Sequence, residues 1–220
     1  MKTLRNILFL FLLITAGCSG DDEKNMSFLD LGIINHYGNG FLIITDAGIN
    51  LQALTLPVEL DFDDNLRVSV KYRVIRPAKP NDSIKVDYIV DVEDINELLT
   101  KEIITINDAN RDTLGSSPVK FENVWITQDY FTVYFSFYAG TKDHYFNLTY
   151  DPMEQTSDDF VALTFRHKDN GDTEIKQYWG YVSFRLNSLR REDGEPVNIH
   201  FRGKQFDEMD FQLNDLVYTY

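Results

Sequence analysis

A single cysteine, Cys18, is all the thiol chemistry this sequence has to offer. One thiol excludes an internal disulfide framework and any Cys-rich zinc site. Positive charge is also scarce: 21 Lys and Arg stand against 35 Asp and Glu, a net charge of −14. Phosphate backbones are repelled by such a chain, and no basic patch interrupts the acidity, so nucleic acid is not an expected partner. No apolar run approaches the roughly 20 residues that a membrane-spanning helix requires, the longest being Ile7 to Ile14. Nucleophile motifs are missing too. There is no GxSxG elbow, and His36, His144, His167 and His200 never recur at i+2 or i+4, so no HExxH or local zinc pattern exists.

What the N-terminus does contain is ordered. Lys2 and Arg5 form a positive region, Ile7 to Ile14 an apolar one, and Thr15-Ala16-Gly17 supply small residues before Cys18. This resembles a bacterial lipobox, with Thr15 where Leu is usual. The resemblance implies that residues 1–17 are a signal peptide and that the acylated Cys18 becomes the new N-terminus, its partner being membrane lipid. Acyl chains contribute about 0.8 kcal/mol per buried CH₂, so two or three anchor a protein stably. The competing reading is a plain secretory signal with an incidental cysteine.

Residues 18–26 read as an acidic, flexible tether. Within it Ser19, Gly20, Asp21, Asp22 and Glu23 resemble the tag that sends Bacteroidota lipoproteins to the cell surface. The expected location is therefore the outer membrane, on its surface or else on its periplasmic face.

From Phe28 onward, short apolar runs alternate with turn signals. In "LRVSVKYRV", Leu66, Val68, Val70, Tyr72 and Val74 share one face and Arg67, Ser69, Lys71 and Arg73 the other, the pattern of a half-buried strand. Phe131, Val133, Phe135 and Phe137 alternate in the same way with Thr132, Tyr134, Ser136 and Tyr138. Asn39-Gly40 and Asn170-Gly171 are hairpin-turn dipeptides. One stretch, "DINELL", has helical spacing, with Ile95, Leu98 and Leu99 at i, i+3, i+4 and Asp94 with Glu97 as a capping box. It predicts one short helix in an otherwise all-β chain. Ile106–Lys120 is polar, contains Gly115 and Pro118, and reads as an interdomain connection. The strand counts on either side fit an OB-like β-barrel over residues 27–106, a linker at 107–117 and an antiparallel β-sandwich over 118–220.

The blocks "LGIINHYGNGFLIITDAG", "RVSVKYRVI", "VEDINELLTK", "FENVWITQDYFTVYFSF", "LTFRHKDNGDTE" and "VSFRLNSLR" are similar, in order and spacing, to those of the NigD-like lipoproteins of Bacteroidota. That resemblance implies an N-terminal OB-like domain followed by a C-terminal sandwich. It implies no established biochemical activity; the family name comes from a bacteriocin-associated gene cluster, which points toward immunity or export.

Candidate chemistry is sparse. Glu59, Asp61, Asp63 and Asp64, and the "DANRD" segment at 108–112, offer carboxylates, but the latter lacks the glycine and the terminal carboxylate of a calcium loop. Acidic turns explain both, and no metal and no cofactor are expected. No nucleophile–base pair can be assembled, so the chain reads as a non-enzyme. A glycan-active enzyme using two carboxylates is the less favoured alternative.

His167 lies beside the Asn170-Gly171 turn, where hydrogen bonding within the hairpin accounts for it better than ligand contact. The aromatic excess in the C-terminal half, Trp125, Tyr130, Tyr134, Tyr138, Tyr145, Tyr178, Trp179 and Tyr181, is more suggestive. Tyr134 and Tyr138, opposite the Phe131–Phe137 face, are the candidates for an exposed binding platform. Asp82-Ser83-Ile84 and Asp112-Thr113-Leu114 resemble O-glycosylation sequons, making Ser83 and Thr113 candidate modification sites. The function these readings support is binding of an envelope protein or a surface glycan, with bacteriocin immunity as the alternative.

Overall fold

The structure, a computed structural model, describes residues 26–59, 62–79, 85–206 and 209–220. Five strands, β1 (Ser27–Tyr37), β2 (Gly40–Thr45), β3 (Asn50–Ala53), β4 (Leu66–Pro77) and β5 (Tyr88–Glu97), close into a barrel in the order β1-β2-β3-β5-β4. Closure leaves no strand edge in this unit. Its interior is aliphatic: Ile34, Ile43, Leu51, Val68, Val70 and Val90 are buried, each contributing roughly 1.5–3 kcal/mol through the surface it removes from water. The hairpin between β1 and β2 turns on Gly38-Asn39, with Tyr37 opposite Gly40 and Gly38 at φ 58°. The turn thus lies one residue earlier than the expected Asn39-Gly40. Gly40 is instead a strand residue, where a Cβ would collide with the Ala53 carbonyl.

The remaining nine strands form a sandwich. They are β6 (Thr100–Glu102), β7 (Ile104–Thr105), β8 (Lys120–Thr127), β9 (Tyr130–Ala139), β10 (Tyr145–Tyr150), β11 (Val161–Lys168), β12 (Lys176–Arg185), β13 (Val197–Lys204) and β14 (Asp210–Tyr218). One sheet runs β14-β13-β11-β10-β7 and the other β6-β12-β9-β8. Between them Phe131, Phe135, Phe165, Phe184 and Phe201 interlock with Val133, Val182 and Leu163. Phe121 meets both Phe165 and Phe201 edge-on, at ring separations of 5.4 Å. Among the described residues the helical content is two single 3₁₀ turns, Pro152–Glu154 and Asn187–Leu189.

Two further expectations are corrected. "DINELL" is not helical: Asp94–Glu97 ends β5, with Ile95 opposite Val70. The register of β4 and β5 shifts between Lys71 and Tyr72, so Asp94 faces Lys71 while Val92 faces Tyr72, leaving Glu93 as the extra residue. The helical spacing of Ile95, Leu98 and Leu99 arises instead where the strand ends: Ile95 is its last buried residue, Leu98 just past the end is buried with its amide on the Arg67 carbonyl, and Leu99 is exposed. The domain limits also move. The Leu98 amide still bonds to Arg67 in the barrel, whereas the Leu99 carbonyl accepts from Ser183 in the sandwich. β6 pairs with β12 and β7 with β10, so residues 100–105 belong to the sandwich and the 107–117 segment connects its two sheets. Strands of two and three residues carry no periodicity of their own, and their partners lie far along the chain.

Candidate functional site

Alternation along β9 and β12 gives the four-stranded sheet two distinct faces. Phe131, Val133 and Phe135 point into the core with Val182 and Phe184, while Thr132, Tyr134, Ser136 and Tyr138 pair across the strands with Ser183, Tyr181, Trp179 and Gln177 on the outer face. The barrel covers the lower end of that face. Arg67, placed by sequence alternation on a solvent-facing side, is wholly buried there. Its guanidinium binds Asp46 through two nitrogens at 2.5 and 2.9 Å, donates to Thr132 Oγ1 at 3.0 Å and to Ser183 Oγ at 3.4 Å, and lies 5.2 Å from the centre of the Tyr130 ring. Trp125 Nε1 donates to the same Asp46 at 2.8 Å, and the Tyr130 hydroxyl to the Asn65 carbonyl at 2.7 Å.

Beyond this junction the outer face is open. Tyr181 stacks on Tyr134 with centroids 4.5 Å apart and an angle of 15°, and Trp125 meets Tyr181 edge-on. Burial and the neighbouring Tyr134 raise the Tyr181 phenol above its usual range. The next rung pairs Trp179, 58% exposed, with the fully buried Ser136. The third pairs Gln177 with Tyr138, whose ring leans on Phe206 at 5.4 Å. Ser136 ties the rungs to β8: Gln177 Nε2 donates to its hydroxyl at 3.0 Å, and the hydroxyl donates to Glu122 Oε1 at 3.3 Å. Lys120 holds the same carboxylate at 3.0 Å.

The structure therefore brings Tyr134 and Tyr138 onto one face and adds Trp179, Tyr181, Glu122 and Gln177, which sequence reasoning did not assign to it. The signal was present in "QYWGYVS", where Gln177, Trp179 and Tyr181 alternate with Tyr178, Gly180 and Val182. Aromatic residues on both sides of the strand obscured it. Glu122 had no signal, because the register of β8 against β9 shifts at its position.

Two histidines that never pair in sequence meet in space. His144 Nδ1 lies 2.8 Å from His167 Nε2, and His144 Nε2 is 3.2 Å from Asp172. Asp172 accepts from the amides of Gly140 and Thr141, which with His144 hold its carboxyl far below the usual carboxylate range. Burial pushes His167 down to about 4. The Asp172–His144 contact ends on a second imidazole and not on a hydroxyl, and Lys142 and Asn170 bond across the same loops. The arrangement locks two adjacent turns. Among the described residues, no three His, Cys, Asp or Glu side chains converge to hold a metal ion.

Thr113 is exposed in a turn, donating to the Asn110 carbonyl at 2.9 Å. Cys18, Ser19, Gly20, Asp21, Asp22, Glu23 and Ser83 lie outside the described residues. A cavity of about 440 Å³ between barrel and sandwich is lined by Asp64, Glu102, Asp129 and Arg185. Its carboxylates are engaged, Asp64 accepting from the His36 amide, Glu102 pairing with Arg185 and Asp129 with Arg190, which marks it as a structural seam.

Residues 102–214, just over half of the chain, match the NigD-like C-terminal β-sandwich domain. The chain belongs to the NigD-like family. Solved structures share the fold of this NigD-like chain over most of its length. A protein of unknown function from Bacteroides vulgatus is 20% identical, with TM-score 0.72, covering 89% of this chain and 91% of that one. A NigD-like immunity protein from Bacteroides caccae is 19% identical, with TM-score 0.68, covering 87% and 97%. A candidate lipoprotein from Bacteroides fragilis is 9% identical, with TM-score 0.63, covering 88% and 99%. No curated protein matches the NigD-like chain.

Proposed function

We propose that this NigD-like chain is a non-catalytic lipoprotein, held at the outer membrane through acylated Cys18, that binds an envelope protein or a surface glycan on the outer face of its four-stranded sheet. The observation that carries the reading is the exposed Tyr181, Trp179 and Tyr138 on consecutive rungs of a rigid strand pair, beside polar groups held in place by buried Ser136. Tyr and Trp supply large contact area at little conformational cost and dominate recognition surfaces. Lipid attachment rests on the lipobox-like residues before Cys18 and is in keeping with the lipoprotein description of the Bacteroides fragilis relative. Among the described residues no helix is long and apolar enough to cross a membrane.

Labelling of growing cells with an alkyne fatty acid tests the anchor, and it fails if the C18A chain incorporates as much label as the wild type. Protease shaving of intact cells tests exposure: a C-terminal domain protected until the outer membrane is opened places the protein on the periplasmic face. A photo-crosslinker at Trp179 tests the binding face itself.

The description of the Bacteroides caccae relative as an immunity protein favours a second reading, in which the same face captures a toxin. That reading expects the chain, expressed alone, to protect a sensitive strain; equal killing of protected and unprotected cells excludes it.

A further inference from the structure

We infer that the ligand of this sheet face is a neutral glycan chain, lying along β9 and β12 with sugar rings on Trp179 and the Tyr181–Tyr134 pair and hydroxyls bonded to Gln177 and Glu122. The inference rests on the binding face proposed above and names its ligand class.

A pyranose presents an apolar C–H face and a rim of hydroxyls that both donate and accept. The three rungs offer the complement to both. Exposed rings at Trp179 and Tyr181 supply flat apolar surface, while Gln177 provides an amide and Glu122 an acceptor-only carboxylate. These two groups are fixed before any ligand arrives, because the buried Ser136 hydroxyl joins them across three strands at 3.0 and 3.3 Å. Preorganisation of this kind removes the ordering cost that long polar side chains otherwise impose on binding.

Spacing and boundaries agree. Successive rungs on an antiparallel strand lie about 6.8 Å apart, so three span roughly 14 Å, room for roughly two to three rings of an extended chain. The strip is continuous with the barrel interface, where Trp125 is held by Asp46, and the barrel forms a wall at that end. Protein hot spots favour a dry apolar centre ringed by polar groups. Here polar groups stand among the rings themselves, Ser136 opposite Trp179 and Gln177 opposite Tyr138. Charge complementarity selects among glycans: Lys120 already pairs with Glu122 at the strip, and the net charge of −14 over the chain disfavours sulfated or uronate chains.

The test uses the detergent-solubilised lipoprotein, a panel of neutral hexaoses (cello-, laminari-, manno- and malto-oligosaccharides) and acidic controls (a uronate and a sulfated oligosaccharide), read by calorimetry and by indole fluorescence. At least one neutral member should bind. Trp179→Ala should weaken it by about tenfold or more, the equivalent of losing roughly 1.4 kcal/mol. Ser136→Ala should weaken it severalfold with the fold intact by circular dichroism, and Tyr145→Ala, on the other sheet, should leave binding unchanged. Binding of acidic glycans alone overturns the inference. No glycan binding, together with protein captured by the crosslinker at Trp179 on cells, also overturns it while leaving the binding face standing. No glycan binding and no crosslink at Trp179 overturn both.

Discussion

Arg67 and Asp46 form a two-pronged ion pair at the junction of barrel and sandwich, the guanidinium fully enclosed and the carboxylate nearly so. The pair lies within the barrel, yet its remaining bonds reach the hydroxyls of Thr132 and Ser183 on the sandwich sheet. One side chain thus closes the barrel wall and docks the two domains, because the planar fork satisfies a carboxylate and two hydroxyls at once. Replacing Arg67 by Met leaves Asp46 enclosed without its cation. A loss of about 3–5 kcal/mol is expected. Asp46 also accepts from Trp125, so the double variant R67M/D46N should recover part of the loss. Chemical denaturation of the two variants measures this, and equal midpoints would contradict it.

Acid should weaken the fold in a defined window. Burial against Phe146, which stacks on the ring at 4.7 Å, and the facing His144 depress His167 to about 4. Its value in the unfolded chain is about 6.5, so the unfolded chain takes up a proton first as pH falls. Stability contributed by neutral His167 is complete above about 6.5 and declines toward about 4, by on the order of 3 kcal/mol. Asp172 is shifted downward by its amide donors and acts at lower pH, losing its contribution as pH falls below the unfolded carboxylate range. Denaturation midpoints at pH 7.5 and 4.5 should differ for the wild type and differ much less for H167F. An unchanged pH slope in the variant would assign the effect to another group.

Tyr218 is fully buried, and its hydroxyl donates to Asp129 while accepting from Arg190 Nε at 3.1 Å. Burial and the adjacent carboxylate push the phenol up to about 12. Tyr218→Phe removes the hydroxyl but leaves Arg190 on Asp129, so a loss of only about 1–2 kcal/mol is expected. Thermal unfolding distinguishes this from the larger loss expected if the hydroxyl alone held Asp129 in place.

Gly203 lies where β13 passes the Phe121 ring. A Cβ there would overlap the ring, which already packs against Phe165, Phe201 and Phe211. Gly203→Ala should cost about 1–3 kcal/mol through overpacking. Phe121→Leu in the same chain should return part of it, and a double variant weaker than the sum of both losses would show that the strain lies elsewhere.

Local patterning was enough for the all-β class, the five-strand front unit, the two-faced character of β4 and β9, and the shared face of Tyr134 and Tyr138. Each follows from short-range alternation and turn signals, local properties of the chain. Alternation also separated Arg67 from the barrel interior correctly, but could not say what would cover the other side. The packing of the sandwich against the barrel settles that: a second domain lies there and buries the guanidinium. The same limit explains the rest. Ile95, Leu98 and Leu99 imitated a helix because β5 ends at Glu97 between them, while β6 and β7 were too short to carry a period and took partners about 45 to 80 residues away. His144 met His167, and Ser136 met Glu122 and Gln177, through strand register. Register is set by long-range pairing and packing, and these contacts between distant residues have no counterpart in a window of sequence.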